Sequence, residues 1–300
     1  MKQLTGENKR NIWGYVFIAP FFITFIIFNL YPIFYTFQLS LQRWDGFHQA
    51  QSVGSANWKR LFQDETFLLT LCNTLRIWLV DFIPQLGTAL FLAMIFTFGR
   101  IRGMGILRAI YYLPNLITAA SIGLLFNLLL NGDKAPINQL LTGMHVPGAP
   151  FAFFKNGLLA QLIASYILWW MWFGYTTVIV MAGVTSIDPC LYEAAELDGA
   201  TKAQTFLRIT LPLIRPTMIY LTITSIIGGM QIFDVPSTLT NISGDPQKAL
   251  LTSSMYVYNQ GFKNNSFGYA SALSVALFLL IAGFSFISLK TLKKRETTYQ

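Results

Sequence analysis

Charge is what this sequence has least of. Lys, Arg, Asp and Glu make up 11% of its 300 residues, where a soluble globular chain carries about a quarter. So few charges cannot cover a water-facing surface, which excludes an ordinary soluble domain. Cysteine is nearly missing as well. Cys72 and Cys190 are the only two, too few for a disulfide framework. His48 and His145 stand far apart, without zinc-ligand spacing. No Walker A pattern (GxxxxGK followed by Ser or Thr) occurs, so nucleotide energy would have to enter through another subunit. No acid–base, nucleophilic or metal constellation is visible to support an enzyme. No internal repeat stands out, in contrast to many secondary transporters built from two homologous halves.

What is present is apolar and blocked. Hydrophobic residues make up 54% of the chain and fall in long runs, which specifies an all-α membrane protein. Six spans are expected, at about 12–39, 71–98, 110–130, 158–184, 213–235 and 269–289. They divide the chain into an N-terminal tail (1–11), a membrane domain (12–289) and a basic tail (290–300). The first run is too long for a signal peptide and no small-residue cleavage site follows it, so it reads as a retained span, with Pro20 and Pro32 as kink points. The net charge of +8 does not point to nucleic acid, because the basic residues sit at the ends of apolar blocks. Thirteen fall in the proposed inner segments: Lys2, Lys9, Arg10, Arg100, Arg102, Arg108, Lys202, Arg208, Arg215, Lys290, Lys293, Lys294 and Arg295. Seven fall in the longer outer loops. That bias places both termini in the cytoplasm and sets Cys72 and Cys190 on opposite sides.

Two ionisable residues lie inside the second span. Arg76 and Asp81 are five apart, about 140° around an ideal helix, so a direct pair is not expected. Arg76 can snorkel outward, whereas an Asp within a span is a functional candidate by default. The fourth span carries Tyr166, Trp169, Trp170, Trp172 and Tyr175. In the fifth, Gly228-Gly229 marks a close approach or an unwinding point, and Asp234-Val235-Pro236 reads as its end. The outer segments read as a polar stretch with interface-anchoring aromatics (40–67), a Gly/Pro-rich loop with a short interfacial helix (132–156) and a polar loop (237–267).

One polar interval in the C-terminal half is patterned as short helices: SIDPCLYEAAELDGATKAQTFLRITLPLIRP, residues 186–216. Asp188 caps a helix start, Pro189 suits its first position, and Ile187 is placed to staple onto Tyr192. Gly199 allows the left-handed turn that stops the helix. Thr201 and Gln204 match a capping box for a second short helix running to about Ile209, which Leu211-Pro212 ends. Pro212 then sits in the first turn of the next span. A rigid knob between two spans is the result.

Glu193, Ala194, Ala195, Asp198, Gly199, Ala200, Phe206, Ile209, Leu211, Pro212 and Pro216 resemble, in ungapped register, the "EAA" loop of permease subunits of binding-protein-dependent ABC importers. Trp44-Asp45-Gly46, Gly54-x-x-Asn57-Trp58, Asn73-Thr74, Leu239-Thr240-Asn241, the Tyr258–Phe262 stretch and Gly268-Tyr269-Ala270-x-Ala272 extend the likeness to the carbohydrate-uptake (maltose and multiple-sugar) branch, over about residues 12–294. One departure is Thr240-Asn241-Ile242-Ser243-Gly244-Asp245-Pro246, where relatives often have Thr-x-Gly-Gly-Pro.

The resemblance implies a type I importer permease fold in a bacterial plasma or inner membrane, with residues 186–212 as the coupling-helix pair. The implied partners are a second homologous permease, two cytoplasmic ATPase subunits carrying ATP and Mg, and an extracytoplasmic binding protein that delivers a sugar. No cofactor on this chain is implied. By position, Trp170, Met171, Tyr175, Ser225, Gly229 and Gln231 resemble cavity-lining residues of maltose-type relatives. Gln231 joins them only if Gly228-Gly229 loosens the helix. An aromatic cluster in a span also serves helix packing or an interfacial belt. The reading from a different class is a self-contained ion-coupled transporter or channel, for which Asp81 and Asp234 are the supporting features.

Overall fold

The computed structural model describes residues 6–99 and 103–294. Lys2, Arg100, Arg102 and Arg295 of the inner-charge count, and the last residues of the basic tail, lie outside them. The helices in chain order are α1 (Gly6–Phe25), α2 (Tyr31–Ser40), α3 (Ala56–Phe62), α4 (Glu65–Phe98), α5 (Met104–Leu116), α6 (Ala119–Leu130), α7 (Pro136–Gly143) and α8 (Gly157–Thr185). They continue with α9 (Pro189–Leu197), α10 (Lys202–Thr205), α11 (Leu211–Leu213), α12 (Arg215–Met230), α13 (Asp234–Thr240), α14 (Ser253–Tyr258) and α15 (Phe267–Lys294). Single π turns interrupt three of the junctions, at Ile26–Leu30, Phe206–Thr210 and Asn259–Lys263. Among the described residues, five helical stretches are long and apolar enough to cross a membrane: Gly14–Ser40, Glu65–Phe98, Gly157–Thr185, Arg215–Thr240 and Phe267–Thr291.

The third expected span is not one straight helix. α5 and α6 meet at an angle of 87°. Ile117 and Thr118 both adopt extended backbone, and the Thr118 hydroxyl accepts from the Ser121 amide at 3.3 Å. A capped helix start therefore lies inside an apolar run, its cap four residues after Pro114. Hydrophobicity alone does not reveal such a break.

The fifth span also departs from expectation. α12 ends at Met230, three residues follow outside helix, and Asp234 opens α13 instead of closing the span. Asp234 and Pro236 both suit a first helical turn, where an acid meets the dipole and a missing amide leaves no broken bond. Gly228 and Gly229 stay helical.

The chain divides into two compact units. One contains the chain up to Asp64 together with Val257–Ala276. In it the stretch Gly14–Ser40 exposes nearly all its apolar side chains, a surface for which bilayer lipid is the matching solvent. A two-stranded ribbon pairs Gln42 with Ser52 and Arg43 with Gln51. Asn57 Nδ2 donates to the carbonyls of Ser40 (3.0 Å) and Gln42 (2.8 Å). The Trp-Asp-Gly segment is a turn. Asp45 Oδ1 accepts from the amides of Phe47 and His48, Trp44 Nε1 donates to the His48 carbonyl, and the Trp44 ring packs against Phe267. The His48 amide and ring hold the Asp45 carboxyl well below the usual range, and Asp45 raises His48 in return. Tyr269 is buried, donates to Asp64 and lies under the Arg60 guanidinium at 3.8 Å.

The other unit spans Glu65–Tyr256 and the chain from Leu277 onward. Its backbone is the α4–α8 pair, whose alanines Ala89, Ala93, Ala160 and Ala164 are fully buried. Small residues four apart let membrane helices approach closely. Gly174 shows why: a Cβ there would strike the Tyr111 carbonyl of α5.

The expected polar outer loop 237–267 is largely an interior segment here. Leu250 is fully buried, Thr252 donates to the Ile232 carbonyl at 2.7 Å, and Ser253 N donates to Thr74 Oγ1 at 2.9 Å. Asn73 Nδ2 donates to the carbonyls of Lys248 (2.8 Å) and Leu251 (3.2 Å), and Gln161 Nε2 donates to Asn73 Oδ1 (3.0 Å) and the Ala249 carbonyl (2.8 Å). Irregular backbone buried in the protein needs such partners. Asn73→Leu strands two carbonyls and Gln161, at about 1–3 kcal/mol for each unmade bond. The purified variant should therefore unfold at a clearly lower temperature in detergent. An unchanged melting curve would show that the segment is not held by Asn73.

Candidate functional site

Three helices enclose a cavity of about 290 Å³, at the small end of ligand pockets. α4 supplies Trp78, Asp81, Phe82 and Gln85, spaced i, i+3, i+4, i+7. α8 supplies Leu168, Trp172, Tyr175 and Thr176, spaced i, i+4, i+7, i+8. α12 adds Tyr220, Leu221, Thr224, Ser225, Gly228 and Gly229, and Ile232 follows it. Each set is one face of a helix, so the lining is a direct consequence of the 3.6-residue repeat.

Aromatic faces dominate the wall. Trp78 stacks on Phe82 (5.6 Å between ring centroids, 15° between planes), and Trp172 meets Tyr175 edge-on (5.7 Å, 89°). Polar groups punctuate them: Trp78 Nε1 donates to Ser225 Oγ at 2.9 Å and Gln85 Nε2 to Thr176 Oγ1 at 2.6 Å. Gly229 exists because the Trp78 indole occupies the place of its missing Cβ. Asp81 also lines the cavity and is 6% exposed, whereas Arg76 lies on an exposed face, so the two do not pair.

Of the residues singled out for a solute path, Tyr175, Ser225 and Gly229 are on this wall. Trp170, Met171 and Gln231 are not. Met171, 3% exposed, belongs to a core with Ile122 and Leu239. Trp170 lies about 200° around the helix from Leu168 and packs edge-on against Phe126. Gln231 is exposed in the break after α12, because the helix stays intact through Gly229 and ends only at Met230. Trp78, Phe82, Gln85 and Tyr220 were missed, although the Trp78–Gln85 stripe of aromatic and polar residues on one face is visible in the sequence.

The helix–turn–helix of 186–212 is built by its caps. Asp188 accepts from the Cys190 amide at 2.9 Å, which holds its carboxyl below the usual range. Gly199 has φ +74°, with its amide on the Glu196 carbonyl (3.0 Å) and the Ala200 amide on the Ala195 carbonyl (2.9 Å), a Schellman stop. The Thr201–Gln204 capping box is present in both directions.

The second helix does not end before Leu211. A π turn over Phe206–Thr210 carries it through α11 to a bend at Ile214, and Pro216, not Pro212, sits in the first turn of α12. The wide turn sends the Leu211 amide to the Phe206 carbonyl, shifting the ladder just where the Pro212 ring would crowd it.

Glu193, Ala194, Asp198 and Gly199 face outward. Ala195 and Phe206 are buried, 6% and 4% exposed, so the smallness of Ala195 serves packing within this chain and not approach from outside. Leu197, which sequence reasoning passed over, is 89% exposed at the tip. The loop is tied to the end of α4: Lys202 Nζ donates to the Phe98 carbonyl at 3.2 Å, and Tyr192 meets the Phe98 ring edge-on at 5.8 Å. Phe98 thus joins the loop to the helix that carries Trp78, Asp81 and Gln85.

Residues 85–296 match the family described as "binding-protein-dependent transport system inner membrane component". The chain belongs to that family. It is a multi-pass membrane transport subunit and not an enzyme. The lactose transport system permease protein of Rhizobium radiobacter is 31% identical to this permease over 97% of both chains. The arabinooligosaccharides transport system permease protein of Bacillus subtilis (strain 168) is 31% identical over 92% of this chain and 87% of that one. A crystal structure of a bacterial ABC transporter involved in the import of the acidic polysaccharide alginate shares the fold, with a TM-score of 0.79 at 23% identity over 98% and 99% of the two chains.

Proposed function

We propose that this permease is one of two homologous membrane subunits of an ATP-driven importer for a sugar or oligosaccharide. The observation that carries the solute class is the cavity between α4, α8 and α12. Five aromatic side chains (Trp78, Phe82, Trp172, Tyr175 and Tyr220) offer faces for the CH-rich sides of sugar rings, and interspersed polar groups meet hydroxyls. Relatives named for lactose and arabinooligosaccharides support the same class.

An extracytoplasmic binding protein delivers the solute. Two ATPase subunits on the cytoplasmic side carry ATP and Mg, and this chain carries no cofactor of its own. Both termini face the cytoplasm, as the basic residues at the inner ends of the spans favour. Glu193, Ala194, Asp198, Gly199 and Leu197 present the docking face to the ATPase. Ala195, Ala200, Phe206, Ile209, Leu211 and Pro212 hold that face in shape. ATPase closure displaces the loop, and the Lys202–Phe98–Tyr192 contact passes the displacement to α4 and the cavity wall.

The test is reconstitution of the purified assembly in proteoliposomes with its binding protein. Uptake of a neutral sugar is expected only with ATP inside and binding protein outside, from an assembly whose mass requires a second permease chain. Uptake driven by an ion gradient without ATP would overturn the reading, and a transport-competent homodimer would overturn the pairing.

A further inference from the structure

α9 meets the rest of the chain through few side chains. Every residue from Pro189 to Leu197 is exposed except Tyr192, which is half-buried, and Ala195, which is buried. The two are three apart and share the inward face of the helix. Ala195 contributes only a methyl group, whereas Tyr192 reaches two other elements. Its ring meets Phe98 at the end of α4 edge-on at 5.8 Å, and its hydroxyl lies 3.2 Å from Thr210 Oγ1 in a hydrogen bond. Thr210 is fully buried and is the last residue of the π turn that leads through α11 to α12. A buried hydroxyl is costly to leave unpaired, so this bond fixes Tyr192 against the turn. Single π turns are rare and gather at functional sites. Both α4 and α12 supply walls of the cavity.

We infer that Tyr192 is a positioning residue for ATP-driven import: its ring and its hydroxyl make α4 and α12 follow a displacement of α9 together. The inference rests on the ATP-driven import reading and deepens it. With the ring contact alone, α4 would follow α9 while the π turn relaxed and left α12 behind. The hydroxyl bond is short-range and directional, so it ties the turn itself to α9. It governs how much import each ATP cycle yields and not whether the ATPase binds, because Glu193 and Leu197 are exposed while the Tyr192 hydroxyl meets a buried partner.

The experiment uses the complete transporter in proteoliposomes with its binding protein, and reads sugar imported per ATP hydrolysed. Tyr192→Phe keeps the ring on Phe98 and removes the hydroxyl, and Thr210→Val keeps the volume and removes its partner. Each is expected to lower the import-to-ATP ratio about threefold to tenfold, the worth of one net hydrogen bond. ATPase co-purification and stimulation by loaded binding protein should stay near wild type. The double variant should be no worse than either single one, because both remove the same bond. Thr210→Ser keeps a hydroxyl and should keep the wild-type ratio. An unchanged ratio in both single variants would overturn the inference, as would losses that multiply in the double variant or a Thr210→Ser protein as poor as Thr210→Val. Loss of the ATPase from both single variants would also overturn it, since the bond would then serve assembly. Failure of the ATP-driven import reading looks different, because the wild-type complex would then show no ATP-dependent uptake at all.

Discussion

Gly199→Val is expected to lower ATP-dependent uptake roughly 10- to 100-fold while the protein still inserts in the membrane. The reason is confined to the backbone. A Cβ at Gly199 meets nothing within 4 Å, so there is room for a side chain, but φ is +74°. An ordinary L-residue pays about 1–2 kcal/mol there, and a β-branched one is a true outlier. Relaxing that strain means giving up the Schellman bonds from Gly199 to Glu196 and from Ala200 to Ala195, which set the angle between α9 and α10. The exposed tip with Glu193 and Leu197 would then no longer present one shape to the ATPase.

Asparagine tolerates positive φ, so Gly199→Asn should keep most of the uptake. A charge reversal, Glu193→Lys, should lower uptake by a separate route. For cross-linking to the ATPase, Leu197→Cys is the right probe, because Ala195 is buried. Normal uptake by Gly199→Val, or equal loss in the Val and Asn variants, would remove the loop geometry from the coupling step.

The second large effect is expected at the cavity. Tyr175→Ala/Ser225→Ala removes an aromatic face and the acceptor that orients the Trp78 indole. An aromatic contact is worth about 0.5–1.5 kcal/mol and a net hydrogen bond a similar amount, so uptake efficiency should drop about tenfold or more. The internal comparison is Trp170→Ala. Its ring packs on Phe126, outside the cavity, so the change should lower stability and yield while leaving the half-saturating solute concentration alone. An assembled double variant with unaltered uptake would mean that the aromatic lining serves packing alone.

Both predictions start from residues that are visible in the chain, yet only one of the two sites could be drawn from it. The helix pair of 186–212 is local: Asp188, Gly199, Thr201 and Gln204 each act on backbone within five residues, so their chemistry dictates the caps wherever the loop sits. The paired helix and turn are therefore legible from spacing. The membrane class is legible for a similar reason, because span length and charge bias answer to the bilayer and not to a particular neighbour.

The cavity was read only in part, since aromatic residues in a span look alike whether they line a hollow or fill a gap. Trp170 and Trp172 are two positions apart and on opposite faces, and only the placement of α4 and α12 around α8 decides which one lines the hollow. Met171 fell to the core by the same geometry. Tertiary contacts also decided the interior course of residues 244–256, whose polar backbone reads as a loop until Asn73, Thr74 and Gln161 are seen to satisfy it. Sequence by itself thus determined what the bilayer and the nearest few residues enforce: the class, most of the span positions and the capped turn. Which buried polar side chains answer one another across 88 to 179 residues, and so where a solute can sit, was decided only when the helices packed.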